Sequence, residues 1–126
     1  MRPVPYPVSV PFGYVPGYPV NNGIHFGEDY PCPAGTPGTV RYSGLVVVAR
    51  DDYPPPSVAA LFNVQPGAWG LYLEVLRANG KRDGYAHLQS LLLLEGLEAV
   101  TGKTCYITGE SGLTFGPHLH RHTIVN

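Results

Sequence analysis

The chain alternates between short apolar runs and breaker clusters, and no stretch sustains the 3.6-residue period of an amphipathic helix. Thr39-Val40-Arg41-Tyr42 and Gly44-Leu45-Val46-Val47-Val48-Ala49 are rich in β-branched and aromatic residues and read as a hairpin or bulged pair. Trp69 to Leu76 reads as a strand, Asn79-Gly80 as a hairpin turn and Arg82 to Leu88 as the returning strand. Gly102 to Thr108 and His118 to Val125 complete the strand set, with a glycine-rich loop from Gly109 to Gly116 between them. Asp51 to Gly67, with Pro54-Pro55-Pro56 inside it, is too long for a tight turn and reads as a functional loop with one helical turn over Ser57 to Phe62. Gln89 to Leu97 is leucine-rich but too short for a clear helix, and reads equally as a buried connection. Residues 1–23 carry Pro3, Pro5, Pro7, Pro11, Pro16 and Pro19, so they are expected to run as extended coil that wraps the domain or walls a groove. Short strands with frequent turns predict an all-β, antiparallel, single compact domain spanning residues 1–126.

Composition changes this picture little. The 16 glycines and 14 prolines approach the range of disordered chains, but 44% hydrophobic and 13% charged residues favour a core, so the breakers read as turns. A net charge of −1, with no cluster of Lys and Arg among aromatics, argues against a nucleic-acid partner. The longest apolar run, Leu91 to Leu94, is far below the ~20 residues needed to cross a bilayer, so no membrane insertion is expected. Repeated prolines after Met1-Arg2 leave no room for the ~7–15 apolar residues of a secretory signal. Cys32 and Cys105 lack metal-type spacing and are either small buried hydrophobes or one disulfide.

The histidines change the picture more. His118 and His120, two apart on a strand, project from the same face with Cα atoms roughly 6.5–7 Å apart. Asp29 follows His25 by four residues, ~13 Å in a straight strand, too far for one zinc with ~2.0–2.2 Å ligand bonds. The chain must bend between them, and Gly27 lies where it can. Two imidazoles and a carboxylate on zinc would leave a fourth position for water, whose pKa falls toward ~7.

Gly23 to Pro37 (GIHFGEDYPCPAGTP), Gly84 to Leu88 (GYAHL) and Gly109 to His120 (GESGLTFGPHLH) together resemble the lysostaphin and LytM-type zinc endopeptidases. Those enzymes carry HxGxD, a YAHL-like segment and GPHLH in this order, and the resemblance covers about residues 10 to 122. It implies an antiparallel β-sheet domain of the duplicated hybrid motif kind, with long loops forming a narrow groove. It places one zinc per chain on His25, Asp29 and His120, and catalytic roles on His87 and His118, which orient water, relay its proton and stabilise the oxyanion. The implied substrate is a stem-peptide or cross-bridge bond of bacterial peptidoglycan. The implied setting is a free-standing, monomeric phage lysin, made in the cytoplasm and acting on the wall after release.

Two departures from the family pattern stand out. Arg121 and His122 follow HLH, where an aromatic and an acidic residue are usual, and alternation puts His122 on the face of His118 and His120, behind the ligands or deeper in the groove. Phe115 stands where a small residue is usual and would narrow the groove. Ser111 is not in a GxSxG elbow, and Glu28 is not in HExxH, so neither reads as catalytic. Tyr14, Tyr18, Tyr30, Tyr53 and Trp69 read equally as groove-lining or core aromatics. A non-catalytic wall-binding or enzyme-activating relative is the competing reading, and such relatives typically lack metal ligands that this chain keeps.

Overall fold

The structure is a computed structural model describing residues 2–10, 13–14, 24–25 and 27–125, with only the backbone described at 13–14 and 24–25. Strands β1 (Gly13–Tyr14) and β2 (Ile24–His25) pair as a separate two-stranded ribbon. The main sheet is built from β3 (Glu28–Pro31), β4 (Pro37–Gly38), β5 (Gly44–Tyr53), β6 (Gly70–Leu76), β7 (Arg82–Leu91), β8 (Glu98–Ala99), β9 (Tyr106–Thr108) and β10 (His118–Ile124). Its order is β3-β10-β7-β6-β5-β8, with β9 on the far half of β7 and β4 on β9, every pairing antiparallel. The expected all-β antiparallel architecture is therefore observed.

The β6–β7 hairpin turns where the Asn79-Gly80 pair indicated: Gly80 has φ +86°, and Arg77 N–H donates to Lys81 O at 2.8 Å. Residues 39–42 differ from expectation and form no strand. Thr39 N–H donates to Pro3 O and Arg41 N–H to the Tyr85 hydroxyl, so these donors are committed elsewhere, and β5 pairs with β6 and β8 instead. Register shifts at Val46/Val48 and Arg50/Tyr53 let β5 bend and continue to Tyr53. The single α-helix among the described residues, α1 (Pro56–Phe62), is longer than the one turn expected. Proline in its first turn presets φ, and Asn63, left-handed at φ +53°, caps its end by donating to Ala59 O. The 89–97 segment is not a buried connection: β7 runs to Leu91, and Leu92 and Leu94 are exposed. The Gly102–Thr108 strand shortens to Tyr106–Thr108.

Each face of the sheet has its own core. One gathers Val46, Leu73, Val75, Tyr85, Tyr106 and Leu119, together with Val4 from the N-terminal segment. The other packs Trp69, Tyr72 and Ala86 beneath Phe62 of α1. Cys32 and Cys105 are buried and free, which selects the small-hydrophobe reading over a disulfide. Trp69 is buried against Tyr53, Tyr72 and His122, and Tyr30 is also buried, so these aromatics belong to the core; Tyr18 and the Tyr14 side chain lie outside the described residues.

Candidate active site

Strand register brings the distant polar residues together. Asp29 on β3 and His120 on β10 are direct cross-strand partners, so 91 residues of separation collapse into a contact: His120 Nδ1 lies 3.0 Å from Asp29 Oδ1. His118, two residues earlier on the same face, has its Nε2 3.7 Å from the same oxygen. Gly27 makes the approach of this segment possible. Its φ is +135°, and a Cβ there would lie 2.5 Å from Arg121 O and 2.6 Å from His120 Cε1. The N-terminal segment also reaches the site, since Ser9 N–H donates to Asp29 O and Asp29 N–H to Val10 O.

His87 arrives by a different device. Strand alternation would put it on the face of Tyr85, in the first core, because Gly84 and Ala86 already face the second. Instead His87 is left-handed, at φ +62°, and its N–H leaves the regular ladder to donate to Trp69 O at 2.8 Å. This one-residue bulge turns the imidazole to the histidine side, 4.8 Å from the His118 ring and 6.1 Å from the His120 ring between centroids. Leu88 then resumes in the first core. A left-handed, non-glycine residue costs roughly 1–3 kcal/mol, and such strain concentrates at functional sites.

The hydrogen bonds fix two tautomers. His87 Nδ1 lies 2.8 Å from Ser111 O and His118 Nδ1 lies 2.9 Å from Gly116 O. A carbonyl only accepts, so each Nδ1 donates and each Nε2 is left as the basic nitrogen. Burial, then the neighbouring His120 and His118, pushes the His87 pKa down to about 3, with the Ser111 carbonyl opposing. His87 is thus neutral at pH 7. Ser111 has a structural role: its hydroxyl accepts from Leu71 N–H and donates to Leu88 O at 2.6 Å, while its carbonyl orients His87.

Asp29, His87, His118 and His120 line one groove of about 500 Å³, walled by Val10, Leu113 and Phe115. His25 is the exception among the expected site residues: its backbone lies in β2, and its side chain is outside the described residues. Among the described residues no group of three His, Cys, Asp or Glu side chains has metal-holding geometry. Sequence reading missed Tyr72 and Glu74, which stand behind His122; the signal was a tyrosine and a glutamate two apart on one face of an otherwise apolar strand.

Glu28, beside Asp29, points into an ion-pair network on the opposite face. Arg121 bonds it at 2.8 Å and bonds the fully buried Asp83 at 2.9 Å, and Arg77 also pairs with Asp83. Burial raises the Glu28 pKa, but the Arg121 hydrogen bond and charge outweigh it and leave the carboxyl below its ordinary 4.5. Glu28 is therefore a structural charge.

No protein-family model matches the chain. The DD-carboxypeptidase/endopeptidase Mpg of Neisseria meningitidis is 30% identical over 121 residues, covering 94% of this chain and 24% of that protein. The peptidoglycan DD-endopeptidase ShyA of Vibrio cholerae is 30% identical over 110 residues, covering 86% of this chain and 22% of its own length. The chain thus spans about a quarter of these relatives. Among solved structures, the catalytic domain of lysostaphin from Staphylococcus simulans superposes with a TM-score of 0.78 at 25% identity, covering 96% of this chain and 81% of that one. A zinc-containing peptidase from Vibrio cholerae gives 0.76 at 26% identity, covering 98% and 36%.

Proposed function

Because the chain belongs to the lysostaphin/LytM-type peptidases, we propose that it is a zinc-dependent endopeptidase that hydrolyses peptide bonds of bacterial peptidoglycan, in a stem peptide or a cross-bridge. The observation that carries this is the meeting of His87, His118, His120 and Asp29, from three strands, in one groove. His25, Asp29 and His120 would hold one zinc per chain. The donor chemistry fits: imidazole and carboxylate are ordinary zinc ligands, and His120 Nδ1 and Asp29 Oδ1 face each other 3.0 Å apart. Zinc, when bound, supplies Lewis acidity and lowers the pKa of water to ~7.

The remaining chemistry belongs to His87 and His118. Both rings are anchored through Nδ1 to backbone carbonyls, so both offer a basic Nε2 to the groove chemistry. One accepts the proton of the attacking water. Once protonated, such a nitrogen becomes a donor to the oxyanion that develops on the scissile carbonyl, and then to the leaving amine. The low basicity of buried His87 suits it to return a proton quickly. The apolar walls at Leu113 and Phe115 exclude water from one side of an extended peptide. Retention of both His87 and His118 beside the metal-ligand set supports catalysis over a wall-binding role. Digestion of purified peptidoglycan tests this: mass spectrometry is expected to find fragments with new peptide termini and intact glycan strands. Fragments cut only in the sugar chain, or none, would overturn it.

A further inference from the structure

The polar contacts do not end at His120. Its Nε2 lies 3.1 Å from His122 Nδ1, and His122 Nε2 lies 2.8 Å from the Tyr72 hydroxyl oxygen. Tyr72 donates its proton to Glu74 Oε1 at 2.7 Å, and Glu74 Oε2 accepts from Arg82 Nη1 at 3.2 Å. His122, Tyr72 and Glu74 are all buried, and the Trp69 ring covers His122 at 4.6 Å between centroids. The row runs from β10 to β6, across β7. Gly84 of β7 is the register partner of both His122 and Glu74, and a Cβ there would collide with both Tyr72 Oη and His122 Nε2. The missing side chain of Gly84 is the gap through which tyrosine and histidine meet.

Proton positions follow from the inventory of donors. A phenol has one hydrogen and a carboxylate has none, so Tyr72 gives its hydrogen to Glu74 and turns a lone pair toward His122. Nε2 of His122 must then donate, which leaves Nδ1 bare toward His120. His120 Nε2 is therefore the donor to His122, and its Nδ1 faces the acceptor-only carboxylate of Asp29, so a proton fills that 3.0 Å gap wherever a metal ion does not. We propose that Glu74, Tyr72 and His122 are positioning residues that hold His120 with Nε2 protonated and Nδ1 presented as the metal-binding nitrogen. This rests on the zinc reading only for the identity of what Nδ1 meets. A carboxylate two residues after the ligand histidine would do the same in one step; here histidine and tyrosine extend the reach to Glu74.

Nitrogen-15 NMR of the imidazole rings, together with zinc affinity from chelator competition, tests the relay. In the unsubstituted chain both His120 and His122 are expected to carry a proton on Nε2. Tyr72→Phe keeps the volume and removes the acceptor, so the zinc dissociation constant is expected to rise about 10–100-fold. His122→Leu should behave likewise. His122→Gln, whose amide offers an acceptor to His120 and a donor to Tyr72, should stay within a few-fold of the unsubstituted chain. A bare Nε2 on His120, or folded Tyr72→Phe and His122→Leu chains that bind zinc with undiminished affinity, would overturn the relay. Absence of zinc binding in the unsubstituted chain would instead contradict the function proposed above, while the Nε2 protons of His120 and His122, read without metal, still decide the relay.

Discussion

At the scale of single residues, His87 shows how the site depends on a backbone angle as much as on a side chain. Only the left-handed turn at φ +62° takes its imidazole off the face of Tyr85 and sets it beside His118. His87→Ala removes a proposed proton-transfer group and leaves the proposed ligands in place. Hydrolysis is expected to fall about 10²–10⁴-fold while zinc content by elemental analysis stays at one per chain. His120→Ala should lose both, because a proposed ligand goes with it; full hydrolysis in either variant would contradict the proposed roles. Which histidines share the groove was legible in the sequence, since AHL and HLH mark them, and Gly27 marked the bend toward Asp29. The bulge at His87 was not, because a non-glycine residue enters that region only when surrounding contacts impose it. Nor were Tyr72 and Glu74 legible as partners of His122, since only the register over Gly84 brings them together.

At the scale of elements, β10 carries two functions on its two faces. His118, His120 and His122 face the site; Leu119 enters the core and Arg121 ties β3 to β7 through Glu28 and Asp83. Asp83 is fully buried and accepts from Arg121, Arg77 and Thr123, so Asp83→Ala strands two guanidinium groups. A loss of about 3–5 kcal/mol in urea unfolding is expected; a loss under about 1 kcal/mol would show that the network holds nothing together. Glu28 sets a pH dependence. Its folded pKa lies below 4.5, so its contribution is present above that value and is lost as pH falls through the folded pKa. Unfolding midpoints should therefore decline as pH falls below the ordinary carboxylate value of 4.5, less steeply in Glu28→Gln; equal slopes would refute it. Hairpin β6–β7 was legible because Asn-Gly is a local signal. Residues 39–42 were misread because strand propensity does not name a partner, and Pro3 and Tyr85 claimed their donors.

At the scale of the whole molecule, a curled antiparallel sheet with one core on each face carries His87, His118 and His120 on its strands, and loops supply much of the groove wall. The all-β class was legible from short strands and frequent breakers, yet the strand order could not be, since β3, β10 and β7 are neighbours drawn from both ends of the chain. Phe115, 87% exposed on the groove wall, has no part in the core. Phe115→Ala is expected to change stability by no more than about 0.5 kcal/mol and to raise KM for peptidoglycan with kcat nearly unchanged. An unaltered KM would remove it from the substrate path. The most direct test of the central claim is to strip the protein of metal and titrate zinc back while following peptide release from peptidoglycan. Activity should be absent at the start, rise with bound zinc and saturate at one zinc per chain. Full activity in the stripped protein, or saturation of binding without any hydrolysis, would contradict it.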